Sequence, residues 1–137
     1  MQYTLAFLFN HDRSKLLLMQ KDRGPYVGKF NGVGGKLEDS DTDIFTGMVR
    51  EIYEEIGVKY DTNLLLYLGC IEREEHLIHT FAGIIEENAP CQCESEPTPW
   101  VSIEDLHKYD LANPVAVSEY IERAYDAVRY LPETICV

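Results

Sequence analysis

Six residues that break regular structure, Gly24, Pro25, Gly28, Gly32, Gly34 and Gly35, fall within twelve positions of this chain. That density predicts an irregular loop region, because glycine adds backbone freedom and proline removes a donor. The chain must therefore route an irregular loop between whatever lies before residue 24 and whatever lies after residue 35. Before it, Tyr3, Leu5, Phe7 and Phe9 alternate with Thr4, Ala6 and Leu8, which reads as a strand with one bulky and one smaller, partly polar face. Asn10 to Ser14 is a turn cluster and Lys15 to Gln20 a second strand, so the two form a hairpin.

After the loop, Asp43 to Ile56 reads as a helix, with Thr42 or Asp43 as N-cap and Gly57 as terminator. Leu64–Ile71 and Leu77–Ile85 read as strands, and residues 86–99 as a polar, proline-containing loop. Ser102-Ile103-Glu104-Asp105 resembles a capping box opening a short helical turn. Asn113-Pro114 opens the last helix, where Val117, Ile121, Ala124, Val128 and Leu131 make one apolar stripe. Mixed strands and helices around one core predict an α/β (α+β) layered fold. At 137 residues, the expectation is one domain over 1–137.

On the first helix, Phe45, Met48, Val49, Ile52 and Ile56 share one face, while Glu51, Glu54 and Glu55 share another. The three glutamates repel one another at i,i+3 and i,i+4 spacing, and the last two sit where the helix dipole disfavours anions. Arg50 alone is placed to relieve them. A divalent cation would remove the conflict, since clustered carboxylates are hard ligands suited to Mg²⁺ or Mn²⁺. A solvated acidic face is the competing reading.

The net charge of −12 is concentrated. Residues 38–61 and residues 86–110 each carry a net −6, whereas residues 1–37 carry +4. This argues against a nucleic acid polymer or an anionic membrane as a partner held by charge alone. No apolar run approaches the length of a membrane span. The four cysteines, Cys70, Cys91, Cys93 and Cys136, lack zinc-site spacing, and no secretory pattern precedes them. Reduced thiols in a cytoplasmic protein are expected.

Gly32-Val33-Gly34-Gly35-Lys36 lets the backbone approach a phosphate or a metal, and Lys36 adds a charge. Together with Arg50-Glu51-Ile52-Tyr53-Glu54-Glu55-Ile56-Gly57-Val58, it resembles the signature of the Nudix hydrolases, G-x5-E-x7-R-E-U-x-E-E-x-G-U, where U is bulky and apolar. The second half matches at every defined position. Counted back from Arg50, the first half puts Thr42 and Lys36 where Glu and Gly belong. One inserted residue restores Gly35 and sets Asp41 in place of the Glu.

The resemblance implies a mixed β-sheet sandwiched between helices and Mg²⁺-dependent cleavage of a nucleoside diphosphate linked to a further group. It makes Glu54 and Glu55 the main metal ligands, Glu51 a ligand or general base, the Gly35 carbonyl a further ligand, and Arg50 the residue that orients the glutamates. A later-loop acid also joins such sites. Glu96 is the first candidate and Glu94 the second, against an ordinary solvated loop. Lys21, Arg23 and Lys36 are candidates for the phosphate side, each against the reading of ordinary loop charge.

Tyr3-Thr4-Leu5, Lys21, Arg23-Gly24 and Gly28 to Lys36 look like the oxidised-purine nucleoside triphosphate hydrolases of animals. That likeness implies a base pocket at Thr4, Lys21 and Asn31. Asn31 is equally read as a turn residue. Ala112-Asn113-Pro114-Val115 resembles a segment of the bacterial MutT branch whose Asn reads the base, although helix capping also explains Asn113. Glu72-Arg73-Glu74-Glu75 is charged where the animal enzymes place pocket phenylalanines, and their paired aspartates have no clear match near Leu111–Asn113.

The expected function is hydrolysis of a (d)NTP, with an oxidised purine such as 8-oxo-dGTP as the narrower case, to monophosphate and pyrophosphate. The expected partner is a small nucleotide, and the expected state a monomer or homodimer. The alternatives are hydrolysis of ADP-ribose, a nucleotide sugar or a dinucleoside polyphosphate, a noncatalytic nucleotide-sensing domain, and an acidic protein-interaction module.

Overall fold

A computed structural model describes residues 1–22, 24–90 and 99–131. Its centre is β1 (Gln2–Phe9), which pairs parallel with β7 (His76–Ile84) along its full length. The opposite edge of β1 is shared. Its end pairs antiparallel with β2 (Lys15–Leu17), and its start pairs antiparallel with β5 (Val33–Lys36). β6 (Leu66–Arg73) and β8 (Trp100–Ser102) extend the sheet outward, giving the order β6-β7-β1-β2-β8 with β5 on β1. Parallel and antiparallel pairs coexist, so the sheet is mixed, as expected.

Both faces of β1 are buried, and its alternation divides the core in two. Leu5, Phe7 and Phe9 pack with Val117, Ile121, Ala124 and Val128 of α2 (Pro114–Val128). Ala6 and Leu8 pack with Met48, Ile52 and Ile56 of α1 (Ile44–Ile56). One helix therefore covers each face, and the bulky side of β1 faces α2. The buried cation Arg13 ties the first turn to this layer, donating from Nε to the Val128 carbonyl at 3.2 Å.

Four local expectations are corrected. The stretch of residues 24–35 is not all loop, since Val33, Gly34 and Gly35 pair with Ala6, Leu5 and Thr4 of β1. The stretch Lys15–Gln20 is not one strand: Leu18 donates its amide to Pro99 O at 3.1 Å, and beyond it β3 (Met19–Gln20) pairs with β4 (Phe30–Asn31) in a separate small sheet. Leu64 belongs to a 3-10 turn (Thr62–Leu64) capped by Asp61, so β6 starts later than expected. Ser102 makes no side-chain cap bond to the 3-10 segment Ile103–Lys108. The Ile103 amide donates to Ser14 O at 3.2 Å.

Candidate active site

α1 is fixed at both ends by local chemistry. Asp43 Oδ1 accepts from the Thr46 amide at 2.8 Å, and Gly57 takes the left-handed conformation (φ 73°) in which its amide reaches Tyr53 O at 2.9 Å. With Met48, Ile52 and Ile56 buried against the sheet, the helix turns Glu51 inward, while Glu54 is exposed and Glu55 half-buried.

Glu51 lies against β5. A Cβ built on Gly35 would come within 2.6 Å of the Glu51 carboxyl carbon, so a side chain there would displace the Glu51 carboxylate. The Thr4 hydroxyl supports this strand from below, donating to the Gly35 carbonyl at 3.4 Å. Burial pushes the Glu51 carboxyl up from its usual range, and the Arg50 guanidinium works against that shift.

Arg50 holds the loop and the helix together. Its Nε and Nη2 each donate to an oxygen of Asp41 at 2.9 Å, and Nη2 also donates to Lys36 O at 3.2 Å. Its Nη1 donates to Glu51 at 3.0 Å and to Glu54 at 3.1 Å. Asp41, buried beside this guanidinium, has its carboxyl pulled below the usual carboxylate range. Gly35 therefore lies against Glu51, and Asp41 against Arg50. Lys36 O is the only part of Lys36 that Arg50 engages, and the Lys36 side chain is exposed.

The donor set fits a hard divalent cation: three carboxylates on one helix, with the Gly35 backbone under one of them. Among the described residues no three acidic, His or Cys side chains already converge as a coordination sphere. Arg50 Nη1 donates to both Glu51 and Glu54. Glu94, Glu96 and Arg23 lie outside the described residues.

A small cavity of about 100 Å³ lies on the other face, against α2. Asn31 and Asn113 line it together with Leu5, Tyr26, Arg73 and Tyr120. Thr4 is not part of it, contrary to expectation, because strand alternation turns its side chain toward Gly35. Asn113 both lines the cavity and caps α2, accepting from the Ala116 amide at 3.4 Å with φ 73°. Asn31 likewise combines both readings, since its Oδ1 accepts from the Gly32 amide at 2.8 Å. Lys21 sits at the neck of the glycine loop, its amide bonded to Lys29 O at 2.8 Å.

Sequence reasoning missed Tyr26, Arg73 and Tyr120 as cavity residues. Tyr120 flanks the α2 stripe at 117–121–124, but so does Tyr125, so spacing alone singles out neither.

The second acidic block proves largely structural where it is described. Glu87 accepts from Asn10 at 2.7 Å and pairs with Lys15 at 3.4 Å, Glu86 meets His11 at 3.4 Å, and Asp110 pairs with Lys29 at 3.6 Å. Lys15 and Lys29 are therefore spoken for, whereas Lys21 and Lys36 make no ion pair among the described residues. No helix there is long and apolar enough to cross a membrane.

Comparison with known proteins agrees with this geometry. The family profile described as NUDIX domain matches residues 2–120. An oxidized purine nucleoside triphosphate hydrolase of Mus musculus is 30% identical over 115 residues, spanning 80% of this chain and 70% of the mouse protein. The NUDIX domain of Shewanella oneidensis NrtR, solved with ADP ribose, superposes with a TM-score of 0.78 at 19% identity, covering 93% of this chain and 88% of that one. A MutT structure from work on Aliivibrio salmonicida and Vibrio cholerae gives 0.74 at 23% identity, covering 90% and 99%.

Proposed function

The chain belongs to the NUDIX domain family as a pyrophosphohydrolase, and on that premise we propose that it hydrolyses nucleoside triphosphates to monophosphate and pyrophosphate using Mg²⁺. The observation that carries this reading is the Arg50 assembly, in which one guanidinium holds Asp41, Glu51 and Glu54 while Glu51 rests on Gly35. That arrangement puts carboxylates of different burial beside an open backbone strand. A solvated acidic face needs neither the bidentate grip nor a glycine shaped to the carboxylate.

Glu51, Glu54 and Glu55, with the Gly35 carbonyl, would hold the metal. When bound, the metal supplies charge neutralisation at the phosphate oxygens and a water of lowered pKa. Mn²⁺ suits the same oxygen donors. Water adds to phosphorus as the anhydride P–O bond breaks, and the water's proton passes to a carboxylate. Glu51 suits that role because burial already raises its proton affinity. Glu96 is the other candidate base. Arg50 orients Glu51 and Glu54 and keeps the loop on the helix. Lys21, Lys36 and Arg23 supply positive charge for the polyphosphate.

The base would enter beside Asn31 and Asn113. Oxidised purines such as 8-oxo-dGTP are the narrower substrate proposal, supported by the activity in the mouse relative's name. A reducing cytoplasmic setting fits Cys70, an exposed free thiol. Incubation with nucleoside triphosphates and Mg²⁺, with products separated by chromatography, tests the proposal. Release of orthophosphate in place of pyrophosphate would refute it.

A further inference from the structure

Cys70 of β6 stands directly opposite His79 of β7. Leu77 gives its amide to Met1 O, so by alternation the backbone of His79 also faces β1. Cys70 and His79 therefore form a non-hydrogen-bonded antiparallel pair. In such a pair both side chains share one face, with Cβ atoms about 4.5–5.5 Å apart. Cys70 is an exposed free thiol, and His79 is half-buried.

Tyr67 joins them through a bulge. Three positions before Cys70, it would lie on the opposite face of a regular strand. The register shifts between Tyr67 and Gly69, and Gly69 takes φ 116°, which favours glycine. The shift turns Tyr67 to the Cys70 face, where its ring packs near Phe45 of α1. The Tyr67 hydroxyl lies 3.1 Å from His79 Nδ1. The other ring nitrogen, Nε2, lies 2.8 Å from Gln2 Oε1 on the β1 side.

Gln2 fixes the tautomer. Its amide oxygen only accepts, so Nε2 carries the proton and Nδ1 keeps its lone pair toward β6, where Cys70 and Tyr67 stand. Burial pushes the His79 imidazole below its usual pKa, which also favours the neutral ring. A neutral imidazole whose second nitrogen donates to an acceptor is the form in which histidine binds metals. Tetrahedral ligands of Zn²⁺ stand about 3.3 Å from one another, close to the 3.1 Å between Nδ1 and the Tyr67 oxygen.

A thiol, an imidazole and a phenol are softer donors than the carboxylates of α1, so they select Zn²⁺ over Mg²⁺. We infer that Cys70 Sγ, His79 Nδ1 and Tyr67 Oη form a separate Zn²⁺ site, with water as the fourth ligand. Binding releases the thiol and phenol protons to solvent, while Gln2 holds the imidazole in place. The ion staples β6 to β7.

The test uses Co²⁺, which adopts the same geometry and shows a thiolate-to-metal charge-transfer band. It is titrated, in excess Mg²⁺, into the reduced full chain carrying Cys91→Ser, Cys93→Ser and Cys136→Ser, which leaves Cys70 as the one thiol. The band is expected to appear, to be displaced by Zn²⁺, and to vanish when Cys70→Ser or Cys70→Ala is added. His79→Gln should weaken Co²⁺ at least tenfold and Tyr67→Phe at least threefold. Gln2→Leu should weaken it about tenfold, the cost of losing an outer partner of a ligand. In the wild type, Zn²⁺ should raise the melting temperature, and in Cys70→Ser it should not. Absence of the band, wild-type affinity in His79→Gln, or an equal Zn²⁺ response in Cys70→Ser would overturn the inference. These readouts do not depend on whether the chain hydrolyses nucleotides.

Discussion

Arg50 and Asp41, nine residues apart in the chain, meet through two parallel hydrogen bonds of 2.9 Å each, with the Asp41 side chain 4% exposed and that of Arg50 21% exposed. The pair fastens the loop after β5 to α1, and the remaining Arg50 donor reaches Glu51 and Glu54. Removing one partner of a buried charged pair typically costs about 3–5 kcal/mol, because the survivor keeps its desolvation. Asp41→Ala should therefore lower stability by about 3 kcal/mol in denaturant unfolding and depress activity as well, since Arg50 loses its anchor. A loss within about 0.5 kcal/mol would show that the grip is incidental.

The same pair sets an acid limit. The folded carboxyl of Asp41 sits below the ordinary value of about 3.9, so its stabilising contribution is fully present above that value. It is lost as pH falls through the folded pKa. Melting temperature of the wild type should drop on acidification below about pH 4, and Asp41→Asn should flatten that part of the curve. Parallel curves for the two proteins would contradict the assignment.

Gly35→Ala should act through Glu51 more than through stability. The added methyl would stand 2.6 Å from the Glu51 carboxyl carbon, so the carboxylate must move off β5. The expected outcome is a folded protein destabilised by no more than about 1 kcal/mol, because the flexible Glu51 side chain can shift, with kcat/KM reduced at least tenfold. A crystal structure with Glu51 unmoved would be inconsistent with the close approach described.

Glu51→Gln separates stability from function. Burial disfavours the Glu51 charge, so the neutral amide should leave the metal-free protein as stable as wild type or more so at pH 7. It should also remove most of the Mg²⁺-dependent rise in melting temperature and most of the turnover. Retention of a wild-type Mg²⁺ response would exclude Glu51 from the metal site.

Much of the fold was legible because its signals are local and periodic. The period-2 alternation of Tyr3 to Phe9 and the cap residues Asp43, Gly57 and Asn113 act within a few residues of themselves. The face of β1 read as smaller and partly polar proves as buried as the bulky one. The box was legible for the same reason, since Glu51, Glu54 and Glu55 share a helix with Arg50. What escaped depends on distant partners. The break at Leu18 is met by Pro99, and the Ile103 amide by Ser14. The cavity gathers Tyr26, Arg73 and Tyr120 from three separate elements, so no spacing could reveal it. Thr4 was assigned to a pocket by resemblance, yet strand alternation gives it to Gly35.

The most direct test of the hydrolase account is product analysis after incubation of the wild type and Glu54→Gln with a nucleotide panel, with Mg²⁺ or with excess chelator. The panel should contain canonical and oxidised nucleoside triphosphates, ADP-ribose and a dinucleoside polyphosphate. Glu54 has a 54% exposed side chain, so Glu54→Gln should fold normally. The account predicts that the wild type converts a nucleoside triphosphate to monophosphate and pyrophosphate, and that chelation or Glu54→Gln lowers the rate at least a hundredfold. Turnover of no diphosphate-containing compound, or wild-type rates from Glu54→Gln, would contradict it.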